Sequence, residues 1–291
     1  MRRPDVRRVL RGALAAGAAA FGALCYLYVT LPDVRPLARR NPDTTAFMEL
    51  RAGEARRDGR AVEPDWRWVP YRRIAPSLRR AVVAAEDGAF WQHSGIDLHE
   101  IEASLRTNLP RGRFPRGAST ITQQLAKNLY LSPSKDPVRK LRELFIARRL
   151  EAELSKRRIL ELYLNVIEWG RDVYGAEAAA RRYFRKPAAA LGPAEAALLA
   201  GAIVNPRVLN PAQPGTGLRW RQRLILRRLR EPASPGPLPT APPPPDAADL
   251  EPAEVAPQAG TPLDPAAIFG DPAPPEPPDD PDPPPAPPDS M

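Results

Sequence analysis

The stretch AAEDGAFWQHSGID, residues 84–97, sets two adjacent carboxylates at the end of an apolar run. Residues 81–85 have the composition of a helix end that packs into a core. Glu86 and Asp87 follow with no polar lead-in, although carboxylates are rarely buried without a partner. Because aromatic residues flank them, desolvation should disfavour the charged form of Glu86. Such a carboxylate can act as a general base or acid near neutral pH. A glutamate that caps or pairs at a helix end is the alternative.

The segment RGASTITQQLAKNLYL, residues 116–131, predicts a helix that begins with uncharged polar side chains. Gly117 and Ser119 lead into it, and hydroxyls and amides fill its first turn. Gln124, Lys127 and Asn128 are spaced i, i+3 and i+4, so they share one face. A helix N-terminus with these groups can receive an anionic or sugar ligand. A capped surface helix is the alternative.

A third segment, DPVRKLRELFIARRLE at residues 136–151, predicts an Arg–Glu pair. Arg139 and Glu143 are four residues apart and therefore neighbours on a helix, and Ile146 and Leu150 continue their face. The pair should lie at the margin of a buried surface. A structural ion pair would explain this segment on its own.

Other helix signatures fill residues 70–230, and we find no convincing strand pattern there. The region is therefore predicted to be one all-helical domain. His93 is expected to shape the turn before Gly95 rather than to catalyse a reaction. The remaining helix starts are indicated by a capping box at Asp97 and Glu100, by Asp136 before Pro137, by Ser155, by Gly192 before Pro193, and by a basic amphipathic run at 219–229.

Charge is distributed unevenly along the chain. All 43 Lys and Arg residues lie at or before Arg230, and 12 of the 34 Asp and Glu residues follow it. The first 230 residues therefore carry +21 and the remainder −12, within a total of +9. A basic body suits nucleic acid, an anionic membrane surface or a phosphorylated substrate. A Cys/His zinc cage is not expected, because the chain has one cysteine, Cys25, and two histidines.

The N-terminal region predicts a membrane anchor. Residues 12–31 are uncharged and mostly apolar, about the length that a transmembrane helix needs. Five arginines precede them, which predicts a cytoplasmic N-terminus and an exported remainder. A cleaved signal peptide is the alternative, although the apolar run is longer than the usual signal core. Export counts against nucleic acid as a partner.

The chain is thus predicted to consist of five segments. Residues 231–291 are rich in Pro, Ala and acids with few large apolar side chains, so we expect disorder with polyproline II character. This tail would be a solvated spacer or would bind a partner. The other segments are a basic cytoplasmic segment at 1–11, the anchor at 12–31, a juxtamembrane segment at 32–65 and the helical domain at 66–230.

Five sequence blocks in order resemble the family 51 peptidoglycan glycosyltransferases, over about residues 66–230. The nearest type is the monofunctional biosynthetic peptidoglycan transglycosylase, which is related to the glycosyltransferase domain of bifunctional penicillin-binding proteins. The blocks are EDGAFWQHSG, GASTITQQLAKN, RKLRE, KRRILELYLN and RQRLIL, which begin at residues 86, 117, 139, 156 and 221.

The resemblance implies a mainly α, lysozyme-like domain beside the bacterial inner membrane. It would be anchored by a single helix with its N-terminus in the cytoplasm and the catalytic domain outside. Such an enzyme polymerises lipid II: the growing lipid-linked glycan is the donor and lipid II the acceptor. The β-1,4 bond forms with inversion, and the lipid pyrophosphate leaves. Proteins of cell-wall synthesis or division are further partners, and nucleic acid is not.

The resemblance also implies roles for individual residues. Glu86 would be the base that deprotonates the acceptor hydroxyl, while Lys127 and Arg139 would neutralise the pyrophosphate. Glu143 would orient that cluster or help to hold a divalent cation, for which Mg²⁺ is the expected metal. Further substrate-binding residues would be Ser119, Gln123, Gln124 and Asn128, with Asn165 and Asn205 as weaker candidates.

Two other function classes remain open. A lytic transglycosylase or lysozyme-type hydrolase shares the fold and a single catalytic glutamate, but it does not need a phosphate-binding face. A non-catalytic membrane scaffold would explain the basic body and the Pro-rich tail. The products formed from lipid II distinguish these classes.

Overall fold

The computed structural model describes residues 6–61, 63–102, 119–132, 134 and 136–230. Two sequence predictions lie outside these ranges, namely the Pro-rich tail at 231–291 and the helix lead-in at Gly117. The helical segment that begins at Leu98 is described as far as residue 102.

The described chain is built mainly from α-helices, which confirms the predicted fold class. Three short 3₁₀ turns, at Arg35–Ala38, Tyr71–Arg73 and Ala188–Ala190, connect them. The helices are α1 (Val6–Val29), α2 (Ala46–Arg57), α3 (Pro76–Glu86), α4 (Ile121–Tyr130), α5 (Pro137–Glu153), α6 (Lys156–Val166), α7 (Ala176–Phe184), α8 (Pro193–Ala202) and α9 (Thr216–Arg230).

Side-chain caps fix several helix starts where the sequence predicts them. Asp136 accepts from the backbone N–H groups of residues 138 and 139, and Ser155 accepts from that of residue 158. Thr120 caps α4 in the same way, through the N–H of Gln123. At α8 the Glu195 carboxylate accepts from the Gly192 N–H. These contacts satisfy donors that a helix terminus otherwise leaves without partners.

A small sheet corrects the prediction that the domain has no strands. It contains β1 (Asp65–Trp66), β2 (Glu168–Gly170) and β3 (Val173–Tyr174) in the order β1-β3-β2. β1 is parallel to β3, and β2 is antiparallel to it. Strands of two or three residues are too short to show the period-2 alternation that identifies a strand in sequence. The pairing of β1 with β3 also depends on tertiary packing.

Two groups of helices share one hydrophobic core. α3 packs against α8 and α9, while α4 packs against α5 and α6. Their buried apolar side chains form one cluster, and its burial is the main favourable term for folding. The C-terminus of α3 therefore lies beside the N-terminus of α4: the Ile121 N–H donates to the Asp87 carboxylate at 2.9 Å.

The N-terminal helix is long and apolar enough over Leu10–Val29 to cross a membrane. This part of the prediction is confirmed, and only 6% of that stretch is buried. The end of this helix and the residues after it are different, because Leu27, Leu31 and Val34 are buried in the hydrophobic core. The N-terminal helix thus joins the rest of the domain through apolar packing as well as through the chain.

Candidate active site

Glu86 is the last residue of α3 and is partly buried. Desolvation raises the pKa of Glu86 above its usual value. A hydrogen bond from Gln124 and the charges of Arg221 and Lys127 oppose that rise and favour the carboxylate. The Gln124 Nε2 to Glu86 Oε2 distance is 2.9 Å. The structure therefore gives Glu86 a raised affinity for protons together with groups that hold its charged form.

The Gln124 side chain is fixed by its neighbours. Tyr163 is fully buried and donates its hydroxyl proton to Gln124 Oε1 at 2.8 Å. Burial raises the pKa of Tyr163 well above its usual value, so the hydroxyl keeps that proton. Asn128 donates to the Gln124 backbone carbonyl at 2.8 Å. Because its oxygen is engaged by Tyr163, the Gln124 amide presents its N–H to Glu86.

Asp87 has a different role from its neighbour Glu86. It is buried, accepts from the Ile121 N–H, and lies 2.9 Å from His93 Nε2. His93 Nδ1 accepts from the Gly95 N–H at 3.1 Å, so Nε2 carries the proton that His93 donates to Asp87. The prediction that His93 shapes this turn is confirmed. Gly95 has φ +88, where a side chain would be strained.

A basic cluster surrounds Glu143, which is 3% exposed. Arg139 Nη1 lies 2.6 Å from Glu143 Oε2, and Lys140 Nζ lies 2.5 Å from Oε1. Lys140 also contacts Ser119 Oγ at 3.2 Å and Gln123 Oε1 at 3.4 Å. The structure thus brings the predicted Ser119, Gln123, Arg139 and Glu143 together, and it adds Lys140 at their centre.

One donor in this cluster lacks a partner among the described residues. Arg139 Nε is buried and has no hydrogen-bond partner within the described ranges. A buried donor without a partner costs free energy, and that cost disappears when an acceptor binds. A phosphate oxygen is such an acceptor, and arginine binds phosphate well because its N–H groups form a planar fork.

Lys127 lies electrostatically between Glu86 and the basic cluster. Burial lowers the pKa of Lys127, the nearby Glu143 raises it, and Arg139 and Lys140 lower it further. Glu86 also acts on Lys127 and raises its pKa. No ion pair joins Lys127 to a carboxylate in the described part of the chain. The charge of Lys127 therefore acts both on Glu86 and on the basic cluster around Glu143.

The two asparagines predicted as weaker candidates lie in different surroundings. Asn165 is fully buried, and its amide bonds Val69 through both its donor and its acceptor groups and Glu161 through its donor group. It holds the chain after β1 against α6. Asn205 lies in an exposed turn after α8. Its backbone carbonyl accepts from Val208 and Leu209. Their predicted contacts with substrate stay predictions.

Arg221 is a site residue whose individual role sequence reasoning missed. It is 3% exposed, lies on α9, and donates from Nε to the Gly201 carbonyl at 2.9 Å. Its charge acts on Glu86 and favours the carboxylate form. Only the packing of α9 against α3 and α8 reveals this relation, because Glu86 and Arg221 are far apart in sequence.

The surroundings of Glu143 do not fit Mg²⁺. Its two oxygens already face Arg139 and Lys140, and Lys127 adds a third positive charge. Mg²⁺ prefers several oxygen ligands. A second group that could hold a metal, Asp87, His93 and Asp97, is occupied by hydrogen bonds within the turn. We therefore derive no catalytic step through a metal.

Comparison with known proteins agrees with this geometry. Residues 56–230 match the family model described as Transglycosylase. A biosynthetic peptidoglycan transglycosylase of Chromobacterium violaceum is 45% identical over 222 residues, which are 76% of this chain and 96% of that protein. Proteins of the same name from Dechloromonas aromatica and Aromatoleum aromaticum are 48% and 54% identical over 189 residues. Each match covers 65% of this chain and 82% of the relative.

Proposed function

The chain belongs to the transglycosylase family, and on that premise we propose that it polymerises lipid II into the glycan strands of peptidoglycan. It is a glycosyltransferase that forms β-1,4 bonds and releases the lipid pyrophosphate. The donor is the growing glycan linked to lipid pyrophosphate, and the acceptor is lipid II.

Glu86 acts as the general base on the acceptor sugar hydroxyl. Its carboxylate takes the proton as the hydroxyl oxygen attacks the anomeric carbon of the donor. Burial gives Glu86 the proton affinity that this step needs, while Gln124 keeps the free carboxylate in place. An inverting transfer requires only one base and a stabilised leaving group, and Glu86 can supply the base.

Arg139, Lys140 and Lys127 stabilise the leaving pyrophosphate. The charges of three cations exceed that of the single buried Glu143 beside them, so the cluster attracts an anion. Fixed charges directed at a developing charge are commonly a large contribution to catalysis. Glu143 orients Arg139 and Lys140, and Ser119 and Gln123 hold Lys140.

One observation supports this proposal most strongly: residues of α4 contact both Glu86 and the basic cluster around Glu143. Gln124 faces the base, Gln123 faces the basic cluster, and Lys127 acts on both. A hydrolase that cleaves existing glycan uses a glutamate but has no phosphate to bind. The basic cluster around the buried Glu143 therefore favours polymerisation over hydrolysis.

Incubation of the full chain with lipid II in detergent micelles tests the proposal. We expect lysozyme-sensitive polymer. Cleavage of preformed glycan instead would indicate a hydrolase, and the absence of both reactions would indicate a scaffold. Parallel reactions with Mg²⁺ and with a chelator test the predicted divalent cation, which stays a prediction.

The site also implies a cellular location. The substrate is held in a membrane, and α1 supplies an apolar helix of membrane-spanning length. The arginines before Gly12 favour a cytoplasmic N-terminus, and this supports a catalytic domain on the outer face of the inner membrane. Proteins of cell-wall synthesis or division are the partners that such a location makes available.

A further inference from the structure

Two arginines of α5 bind the chain at the end of the anchor. The last carbonyls of a helix have no partner within the helix. Arg149 donates to the carbonyl of Tyr28 at 3.0 Å and to that of Leu31 at 3.4 Å. Arg142 donates to both the carbonyl and the hydroxyl of Thr30, at 3.0 and 3.1 Å. We call these two residues, Arg142 and Arg149, the arginine clasp.

Aromatic and apolar contacts strengthen the same junction. The Arg149 guanidinium lies 4.4 Å from the centre of the Tyr28 ring, and Phe145 meets that ring edge-on at 6.4 Å. Leu27 and Leu31 are buried beneath them. The end of α1 is therefore held against α5 by hydrogen bonds, ring contacts and apolar packing. These contacts fix the position of α5 relative to the end of α1.

The arginine clasp lies on α5, the helix that also carries Arg139, Lys140 and Glu143 of the basic cluster. Arg139, Lys140 and Glu143 occupy the first two turns of α5, and Arg149 lies ten residues after Arg139. At about 1.5 Å per residue, the helix separates the cluster from the far end of the clasp by roughly 15 Å. α5 thus connects the end of a membrane-spanning helix directly to the groups that face the pyrophosphate.

We propose that Arg142 and Arg149 are positioning residues that hold the basic cluster around Glu143 at the depth of the lipid headgroups. This inference rests on the proposed function and on α1 being a membrane anchor. The pyrophosphate of a lipid-linked sugar is confined to the membrane surface, because its lipid chain lies in the hydrocarbon. A domain that is fixed to the end of α1 keeps its basic cluster at the level of the pyrophosphate. A loosely tethered domain would sample other distances from the membrane and other orientations.

Kinetics with two substrates test the clasp. The variant Arg142→Ala/Arg149→Ala is compared with Arg148→Ala, an exposed arginine of the same helix that donates to Ser94 instead. In vesicles containing natural lipid II, we expect the double variant to raise KM about tenfold with little change in kcat, since a loosely tethered domain spends less time at the depth of the substrate and so meets it at a lower effective concentration. With a short-chain lipid II analogue in detergent, it should match the wild type. Arg142→Lys/Arg149→Lys should recover part of the loss.

A distance measurement provides a readout that does not depend on activity. Cys25 is the only cysteine and lies in α1, while Val138 is exposed at the start of α5. Spin labels at Cys25 and at Val138→Cys in vesicle-embedded protein should give one narrow distance distribution. The same pair should give a broad distribution in the Arg142→Ala/Arg149→Ala background.

The outcomes separate the two proposals. A narrow distribution in the double variant, unchanged KM in vesicles, or equal losses with both substrates would each overturn the clasp. If the wild type forms no polymer from either substrate, the proposed function fails, and the distance measurement still decides whether the clasp fixes the anchor.

Discussion

At the scale of single residues, Glu86 shows how a group suited to catalysis can oppose stability. Its pKa is raised chiefly by desolvation, so the folded protein holds a proton on Glu86 more tightly than the unfolded chain does. The charged form needed for base catalysis is correspondingly unfavourable in the folded state. Gln124, Arg221 and Lys127 reduce that cost without removing it.

Glu86→Gln should stabilise the folded protein at neutral pH. A carboxyl group whose folded pKa is raised contributes stability that is fully present below the unfolded pKa and lost as pH rises through the folded pKa. The neutral amide avoids this loss and can still accept from Gln124. Thermal unfolding should therefore show a higher midpoint for the variant at pH 7, with the difference shrinking towards pH 4. A lower midpoint for the variant at pH 7 would contradict this view of Glu86.

Substitutions of Arg139 test whether the basic cluster stabilises the leaving pyrophosphate. Arg139→Ala removes both the partner of Glu143 and the unpaired Nε, so we expect turnover of lipid II to fall about 100-fold, as for other lost transition-state donors. Arg139→Lys keeps the charge but loses the fork, and a loss of roughly tenfold is expected. Steady-state polymerisation rates measure both. Equal, mild effects would make Arg139 only a structural partner of Glu143.

At the scale of elements, Asp87 joins α3 to α4 and thereby sets the distance between Glu86 and Gln124. It accepts from the first N–H of α4 and from His93, which in turn accepts from the Gly95 N–H. The second carboxylate of the pair therefore positions the first. The two adjacent acids therefore have separate surroundings, and the task that we propose for Glu86 is chemical while that of Asp87 is structural.

Asp87→Ala should destabilise the domain by about 3 kcal/mol, because it leaves two buried donors without their charged partner. Asp136→Ala, which removes an exposed cap of α5, is the matched control and should cost about 1 kcal/mol. Urea unfolding of the full chain measures both. Similar losses in the two variants would show that Asp87 is no more than an ordinary cap.

The sequence predicts the helices better than it predicts the contacts between them. Asp136, Ser155 and Gly192 mark helix starts because capping is local and involves residues within one turn. The pairing of Trp66 with Tyr174 leaves no local signal. The local sequence likewise gives Lys140 no role of its own, since only the packing of α4 on α5 brings it to Gln123. Glu86, Arg139 and Glu143 were recognised through motif blocks, whereas the charge of Arg221 acts across α3 and α9.

At the scale of the whole molecule, the apolar N-terminal helix and the arginines before it predict where the enzyme works. A reporter fused after Arg230 should be active only on the exported side, and the mature protein should retain its N-terminal residues. The reasons are the arginines before Gly12 and the length of the apolar helix. N-terminal sequencing and the reporter assay measure these features. A mature N-terminus near Cys25 would instead indicate a cleaved signal peptide.

The most direct test of the central claim is lipid II polymerisation by the wild type and by Glu86→Gln, measured side by side at several pH values. The amide keeps the shape of Glu86 and its contact with Gln124 but cannot accept the proton. We expect the wild-type rate to rise with pH through the raised pKa of Glu86, and the variant rate to be lower by about 10² to 10⁴, the usual contribution of a general base. Wild-type-like polymerisation by folded Glu86→Gln would contradict the account.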